Sequence, residues 1–368
     1  MSTPRHPIRL AHLGLGAFSR AHQAWYTQAA NDRGADWGIA AFTGRTPDIA
    51  RELSAQDGRY TLITRAANGD SAQVIDSIVS ASDGADNAAW TSTLANPDVA
   101  VVTVTVTEAG YLPAATPPRR LAEGLRARRA AASGPIAIVS CDNVPANGTK
   151  LKELVLQQAD NDLSEWIHDN VSFVVTMVDR ITPAATDEDR RIARGLVGWD
   201  DRVPVVTEPF SEWVLQGEFP AGRPDWHEVG AQFVDDVEPY ENRKLWLLNA
   251  GHSLLAYRGL ERGHSTVFDA FADETLRGEV EQLWTEARPV LALPADEVDA
   301  WLEQLRTRWQ NPRIEHRLAQ VAQGGEQKVP ARILSVAHER EAAGLPPGEA
   351  GAEVVAAWNR YRKTTGAS

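Results

Sequence analysis

The chain holds one cysteine in 368 residues, Cys141. A single thiol excludes an internal disulfide and any thiolate metal cluster. Its place at the end of the apolar run PIAIVS makes a buried structural thiol the expectation. No apolar run approaches the ~20 residues of a membrane-spanning helix. No basic block interrupts a formal net charge of −13, and binding to nucleic acid or anionic membrane rests on such blocks, so neither is an expected partner. The opening MSTPRHPIRLAHLGLGAF runs almost at once into a strand pattern. That leaves no room for a signal peptide and makes the cytoplasm the expected location. There is no internal repeat, no low-complexity stretch and no cluster of metal-ligand spacing. Lysine is scarce too: of 37 basic residues only Lys150, Lys152, Lys244, Lys328 and Lys363 are lysines. In such a chain a lysine within an apolar segment calls for a chemical reason.

What is present is a sizeable apolar content, 43%, in a chain long enough for two domains of roughly 100–200 residues each. Short apolar strands are expected at 8–13, 37–43, 59–65, 73–79, 99–106, 135–140 and 171–178. Helices are expected through about residue 30, from Pro47 to about Ser54 with Thr46 as N-cap, and from Arg119 to about Ala132 after a Pro-rich break at Ala115–Pro118. Strands alternating with helices imply a parallel sheet covered on both faces. From about residue 240 the pattern turns helical: KLWLLNAGHSLLAYRGL, 276–292 and 297–309. The first strand ends in Gly14-x-Gly16 before a helix, a turn that admits close backbone approach to a pyrophosphate. The fold class is therefore α/β: an N-terminal Rossmann-type doubly wound sheet over 1–205, then a mainly α-helical substrate and catalytic domain over 206–368. A bare GxG also serves other nucleotides or a plain tight turn, and Ser19 stands where a third glycine is usual.

The second strand runs into Phe42-Thr43-Gly44-Arg45. It lacks the carboxylate that holds the adenosine ribose of NAD, whereas an arginine suits the 2′-phosphate of NADP. Arg45 reads equally as a solvated loop residue. The most informative segment is Lys244-Leu-Trp-Leu-Leu-Asn249-Ala-Gly-His252. At about 100° per residue, Asn249 lies about 140° and His252 about 80° around a helix from Lys244, so all three can address one half of it. Burial lowers a lysine's pKa toward the working pH and suits it to take an alcohol proton. Asn249 can donate to a developing alkoxide, and His252 can hold a substrate hydroxyl. Against this stand a snorkelling surface lysine and a satisfied core histidine. Three strand-end clusters add Asn143 in SCDNVPANG, Asp179-Arg180 in VDRITP, and Thr107-Glu108 after VTVTV. Ligands in α/β sheets sit beyond the carboxyl ends of strands, although Asn143 also fits plain turn chemistry and Asp179-Arg180 an internal ion pair.

Taken together, the segments HLGLGAFSRAHQAWY, TVTEAGY, SCDNVPANG, VDRITP, GRPDWHEVGAQFVDDVEPYE, KLWLLNAGHSLLAY and GGEQKVPARIL resemble the polyol-specific long-chain dehydrogenase family. Its members include mannitol 2-dehydrogenase, fructuronate reductase and mannitol-1-phosphate 5-dehydrogenase. The resemblance implies metal-independent hydride transfer between a sugar alcohol and its ketose, or an aldonate and its ketouronate. Lys244 would be the general acid/base, with Asn143 and Asn249 stabilising the alkoxide and His252 completing the catalytic set. Asp179, Arg180 and Lys328 would meet the substrate, Lys328 at a distal hydroxyl or carboxylate. Gly14, Gly16, Phe18, Arg45, Thr107 and Glu108 would meet the cofactor, NAD by resemblance or NADP if Arg45 reads a phosphate. Implied partners are a small polyol, ketose or uronate, in a monomer or dimer. The chain is shorter than typical mannitol 2-dehydrogenases, with a compressed segment around 111–134. Glu208-Pro209-Phe210 and Gln320 stand closer to fructuronate reductase. A non-catalytic nucleotide sensor is the rival from another class, but a sensor has no need of Lys244, Asn249, His252 and Asn143. A methyltransferase with a GxG turn leaves the lysine segment unexplained.

Overall fold

Runs such as GIAAF, VVTV and IAIVS carry no polar face, so they are stable only where both sides of a sheet are covered. The structure, a computed structural model, describes residues 5–44, 46–112 and 114–365. Eleven strands are formed among them: β1 (Ile8–Leu13), β2 (Gly38–Phe42), β3 (Tyr60–Ala66), β4 (Gly69–Ile75), β5 (Ile78–Ser82), β6 (Val101–Val104), β7 (Ile136–Ser140), β8 (Val171–Asp179), β9 (Val205–Thr207), β10 (Glu212–Gln216) and β11 (Gln232–Phe233). Eight make one sheet in the order β11-β10-β8-β7-β6-β1-β2-β5, and β4-β3-β9 make a second. From β5 to β8 every pairing in the large sheet is parallel, and β10 returns antiparallel to β8. Every residue of β2, β6 and β7 is buried. The carboxyl ends of β1, β2, β6, β7 and β8 therefore share one edge, where the loops that bear function begin. Cys141, just beyond β7, is buried, and burial pushes its thiol pKa well above the ordinary range.

The described residues fall into two compact units, one ending at Val237 and one running from Glu238 onward that also takes in Ala66–Asn68. The boundary expected at 205/206 thus falls at 237/238, because β10 and β11 extend the large sheet rather than open the helical unit. The second unit is helical around a core of Trp246, Trp284, Trp301 and Trp309 with Leu247, Leu254, Leu255 and Phe271.

Several local expectations shift for tertiary reasons. The first helix breaks into Ala17–Ala21 and Gln23–Asn31 at His22, whose Nε2 meets the Glu212 carbonyl at 3.0 Å. The helix expected at Pro47 begins at Asp48, with Pro47 itself at the cap and no side-chain capping bond from Thr46. The single strand expected over 73–79 is two, parted at Asp76-Ser77, where the Ser77 hydroxyl donates to Ala24 O at 2.9 Å. The Pro-rich break at 115–118 belongs partly to a helix, Thr116–Ala130; proline is tolerated in a first turn, where N–H groups have no intrahelical acceptor.

A histidine lies within the sheet itself. His12 on β1 is fully buried between Thr103 Oγ1 at 2.8 Å and Thr105 Oγ1 at 3.1 Å, and burial lowers its pKa from 6.5 to about 4. Between these values the unfolded chain takes up a proton that the folded chain refuses. Stability is fully present above pH 6.5 and is lost as the pH falls toward 4, by on the order of 3 kcal/mol. His12→Gln should remove one proton's worth of slope from the pH dependence of urea unfolding across that window; an unchanged slope would refute the assignment.

Candidate active site

In the first unit, Gly14 adopts φ +106°, and a Cβ on it would lie 1.9 Å from the Thr105 carbonyl oxygen. Only glycine fits this approach of β1 to the strand-end of β6. The Gly14 and Leu15 N–H groups both donate to Phe42 O at 2.9 Å. The Gly16 N–H donates to Ser19 Oγ at 3.0 Å, so the buried hydroxyl of Ser19 fills the place of the missing third glycine. Beside this turn lies a cavity of about 560 Å³, lined by Gly14, Leu15, Thr43, Thr105, Thr107 and Arg120 among others. The tight glycine turn and a cavity across the ends of β1, β2 and β6 fit a dinucleotide. Thr107 lines it; Glu108 is exposed and does not. Phe18 is half-buried and stacks on the His22 ring, centroids 5.1 Å apart. Arg45 lies outside the described residues.

Beyond β7, Asn143 is exposed, while its neighbour Asp142, which sequence reasoning passed over, is buried and organises the edge. Asp142 accepts from the Val106 N–H at 3.0 Å, the Thr107 N–H at 2.7 Å and the Tyr111 hydroxyl at 3.1 Å. Burial raises its pKa, and these three donors oppose the rise. Thr107 sits at φ +63°, in the left-handed region that costs a β-branched residue most, and the carboxylate holds it there. Asn147 completes the clamp: its Nδ2 donates to Asp142 O and Thr176 O, and its Oδ1 accepts from the Thr176 N–H at 3.0 Å. Asp179 closes β8 and is buried. Arg180, expected at the substrate, is engaged within the first unit. Its guanidinium bonds the Ala21 carbonyl and the Glu208 carbonyl and lies 4.5 Å over the Trp25 ring. It is a brace between loops.

In the second unit, Lys244–Asn249 is a π-turn, not the regular helix expected, and the α-helix Ala250–Glu261 follows. An i→i+5 hydrogen-bonded turn sets residue i+5 over residue i. Asn249 therefore stands one turn above Lys244, closer in azimuth than the 140° of a regular helix. His252, three residues further on, continues the same face. The wide turn leaves carbonyls open to side-chain donors: Trp284 Nε1 donates to Leu247 O at 3.0 Å, and Arg332 Nη1 to Asn249 O at 3.2 Å. Lys244 is buried. Trp309 Nε1 donates to His252 Nε2 at 3.0 Å. An indole N–H only donates, so Nε2 carries the lone pair and the proton sits on Nδ1. His252 is held neutral, its pKa well below 6.5, by burial first and then by His316, Arg332, Arg308 and Lys244. His316 lies edge-on to it at 4.7 Å, with a buried Nδ1 that has no hydrogen-bond partner among the described residues. Nothing in the sequence pattern singled out His316. Lys328 donates to Val321 O at 3.2 Å and adds to the positive field on His316.

Asp142→Ala should cost on the order of 2–3 kcal/mol in urea unfolding, since buried donors lose a charged acceptor, and should weaken dinucleotide binding in fluorescence titration. Asp142→Asn, which keeps one acceptor oxygen, should recover part of both. Dinucleotide affinity that stays unchanged in Asp142→Ala would detach this clamp from the cofactor.

Residues 8–228 match the mannitol dehydrogenase Rossmann domain, and residues 236–368 the mannitol dehydrogenase C-terminal domain. Escherichia coli D-mannonate oxidoreductase is 37% identical over 362 residues, covering 89% of this chain and 74% of that protein. Mannitol 2-dehydrogenase of Pyrenophora tritici-repentis is 34% identical, covering 98% and 70%. Among solved structures, Pseudomonas fluorescens mannitol 2-dehydrogenase in ternary complex with NAD and D-mannitol superposes with a TM-score of 0.85 at 34% identity, covering 97% of this chain and 80% of that one. With both halves matched in order, the chain belongs to the mannitol dehydrogenase family, oxidoreductases that act on a CH–OH group of polyols and aldonates with a nicotinamide dinucleotide.

Proposed function

We propose that the chain interconverts a sugar alcohol and its ketose with Lys244 as general acid/base. The observation that carries this is the π-turn: it brings a buried lysine and an amide donor onto the face that His252 continues. A nicotinamide dinucleotide, when bound, supplies the hydride acceptor for the carbinol carbon. Lys244 as free amine takes the hydroxyl proton as the C–O bond gains double-bond character, and returns it in the reverse direction. Asn249 Nδ2 donates to the oxygen while it carries negative charge. His252, fixed in the Nδ1–H tautomer by Trp309, donates to a neighbouring substrate oxygen. Gly14, Gly16 and Thr107 hold the dinucleotide. Lys328 and Asp179 remain proposed substrate contacts, and Asn143 a proposed second donor to the oxygen, on family resemblance.

A second reading, a sugar acid and its keto acid, is favoured by one observation. The charged groups that shift His252 and His316 are Lys244, Arg308, Lys328 and Arg332, all cations, within a chain of net charge −13. A carboxylate on the substrate would be attracted there; a neutral polyol would not.

Following NADH and NADPH absorbance with fructose, fructuronate and tagaturonate separates the two. Turnover restricted to the uronates selects the acid reading, and silence across a broad ketose and ketouronate panel would sink both. Lys244→Ala should lower kcat by about 10²–10⁴-fold with cofactor affinity nearly unchanged. Full turnover at neutral pH in that variant would place the proton carrier elsewhere.

A further inference from the structure

We propose that Arg120 reads a phosphate on the adenosine ribose of the dinucleotide, so that the cofactor cleft is built for NADP. The inference extends the dinucleotide reading and is independent of the role given to Lys244.

In this fold the group that discriminates the ribose stands at the carboxyl end of the second strand, a carboxylate for a free 2′-hydroxyl and an arginine for a 2′-phosphate. Here β2 is followed by Thr43-Gly44 with no carboxylate. Arg120 comes from a distant part of the chain, the first turns of the helix Thr116–Ala130, yet it reaches this point. A Cβ built on Gly84 would lie 1.9 Å from Thr43 O and 3.0 Å from Arg120 Nη1. The guanidinium therefore lies beside Thr43, just beyond the end of β2. Arg120 also lines the 560 Å³ cavity together with Thr43, Gly44 and Thr46 from that strand end.

The electrostatic state of Arg120 points to an anion. The residue is only 6% exposed, and its Nη2 is buried without a hydrogen-bond partner. Among the described residues it forms no ion pair; Asp83, Asp86 and Glu123 act on it only from a distance, and burial lowers its pKa. A guanidinium stripped of water and left with an unmet N–H is costly to keep. A phosphate supplies both the counter-charge and acceptors for a forked donor. The guanidinium carbon lies 5.3 Å from the centre of the Trp90 ring, which holds the fork in place before any ligand arrives. The scaffold does not depend on the charge, because Trp90 Nε1 donates to the backbone carbonyl of Arg120 at 2.7 Å, a bond that any residue keeps.

The test uses binding alone, so it is blind to whether the alcohol chemistry is right. Calorimetric titration compares 5′-AMP with 2′,5′-ADP, which adds only the ribose phosphate, on the full chain. The wild type should prefer 2′,5′-ADP by about tenfold or more. Arg45→Ala should keep most of that preference. Arg120→Gln should abolish it while 5′-AMP binding stays within about twofold, and Arg120→Lys should retain an intermediate preference. Equal binding of both nucleotides by the wild type overturns the proposal. So does complete loss of the preference in Arg45→Ala, or parallel weakening of both nucleotides in Arg120→Gln. Should the Arg120 variants fail to fold, the wild type and Arg45→Ala still decide it.

Discussion

What the second unit offers to chemistry depends on one unusual turn and the side chains that keep it. A π-turn has poorer hydrogen-bond geometry than an α-helix and reverts unless its surroundings favour it. Here Trp284 donates to Leu247 O and Arg332 to Asn249 O. A Cβ on Gly251 would lie 2.6 Å from the Trp309 ring, so the ring packs directly on the helix backbone just past the turn. The same Trp309 sets the tautomer of His252. Backbone irregularity, core packing and proton placement thus share one cluster of tryptophans. The apolar core fixes which hydrogen bonds the site can make.

The first unit solves a different problem. Parallel strands deliver their loops to one edge, and loops must be held there without regular structure. Buried polar side chains with several partners do this: Asp142 gathers three donors, Asn147 spans the ends of β7 and β8, and Arg180 ties two carbonyls. Asp142 and Asn147 meet their partners within the fold, whereas Arg180 keeps a buried Nε without one among the described residues. The unmet Nη2 of Arg120 differs from that Nε in belonging to a residue that lines the cavity at the strand ends.

Strands β2, β6, β7 and β8 were legible because dense β-branched and small apolar runs have few alternatives to a covered sheet. Lys244 drew attention because lysine is rare in this chain, and Asn249 and His252 followed from its position. The π-turn was not legible, since KLWLLN carries no pattern that separates i→i+4 from i→i+5 bonding; the donors that favour it come from Trp284 and Arg332, remote in sequence. The break at His22 was hidden for the same reason, its partner being the Glu212 carbonyl. Asn143 drew attention as a polar strand-end residue, yet it is exposed, and the adjacent Asp142 is the buried residue that gathers the strand-end N–H groups. Arg180 looked like a ligand contact because it follows a strand, but only coordinates reveal the carbonyls that engage it. Arg120, one arginine among several in RRLAEGLRARR, has no local signature at all.

The sealed position of Cys141 has a practical side. A fully buried thiol with a raised pKa presents no thiolate to reagents, and such cysteines are inert. The native chain is therefore already a silent background for thiol labelling. A cysteine introduced on the exposed loop after β6 would be the sole reactive site, so spectroscopic reporters can be attached singly without first removing the natural residue.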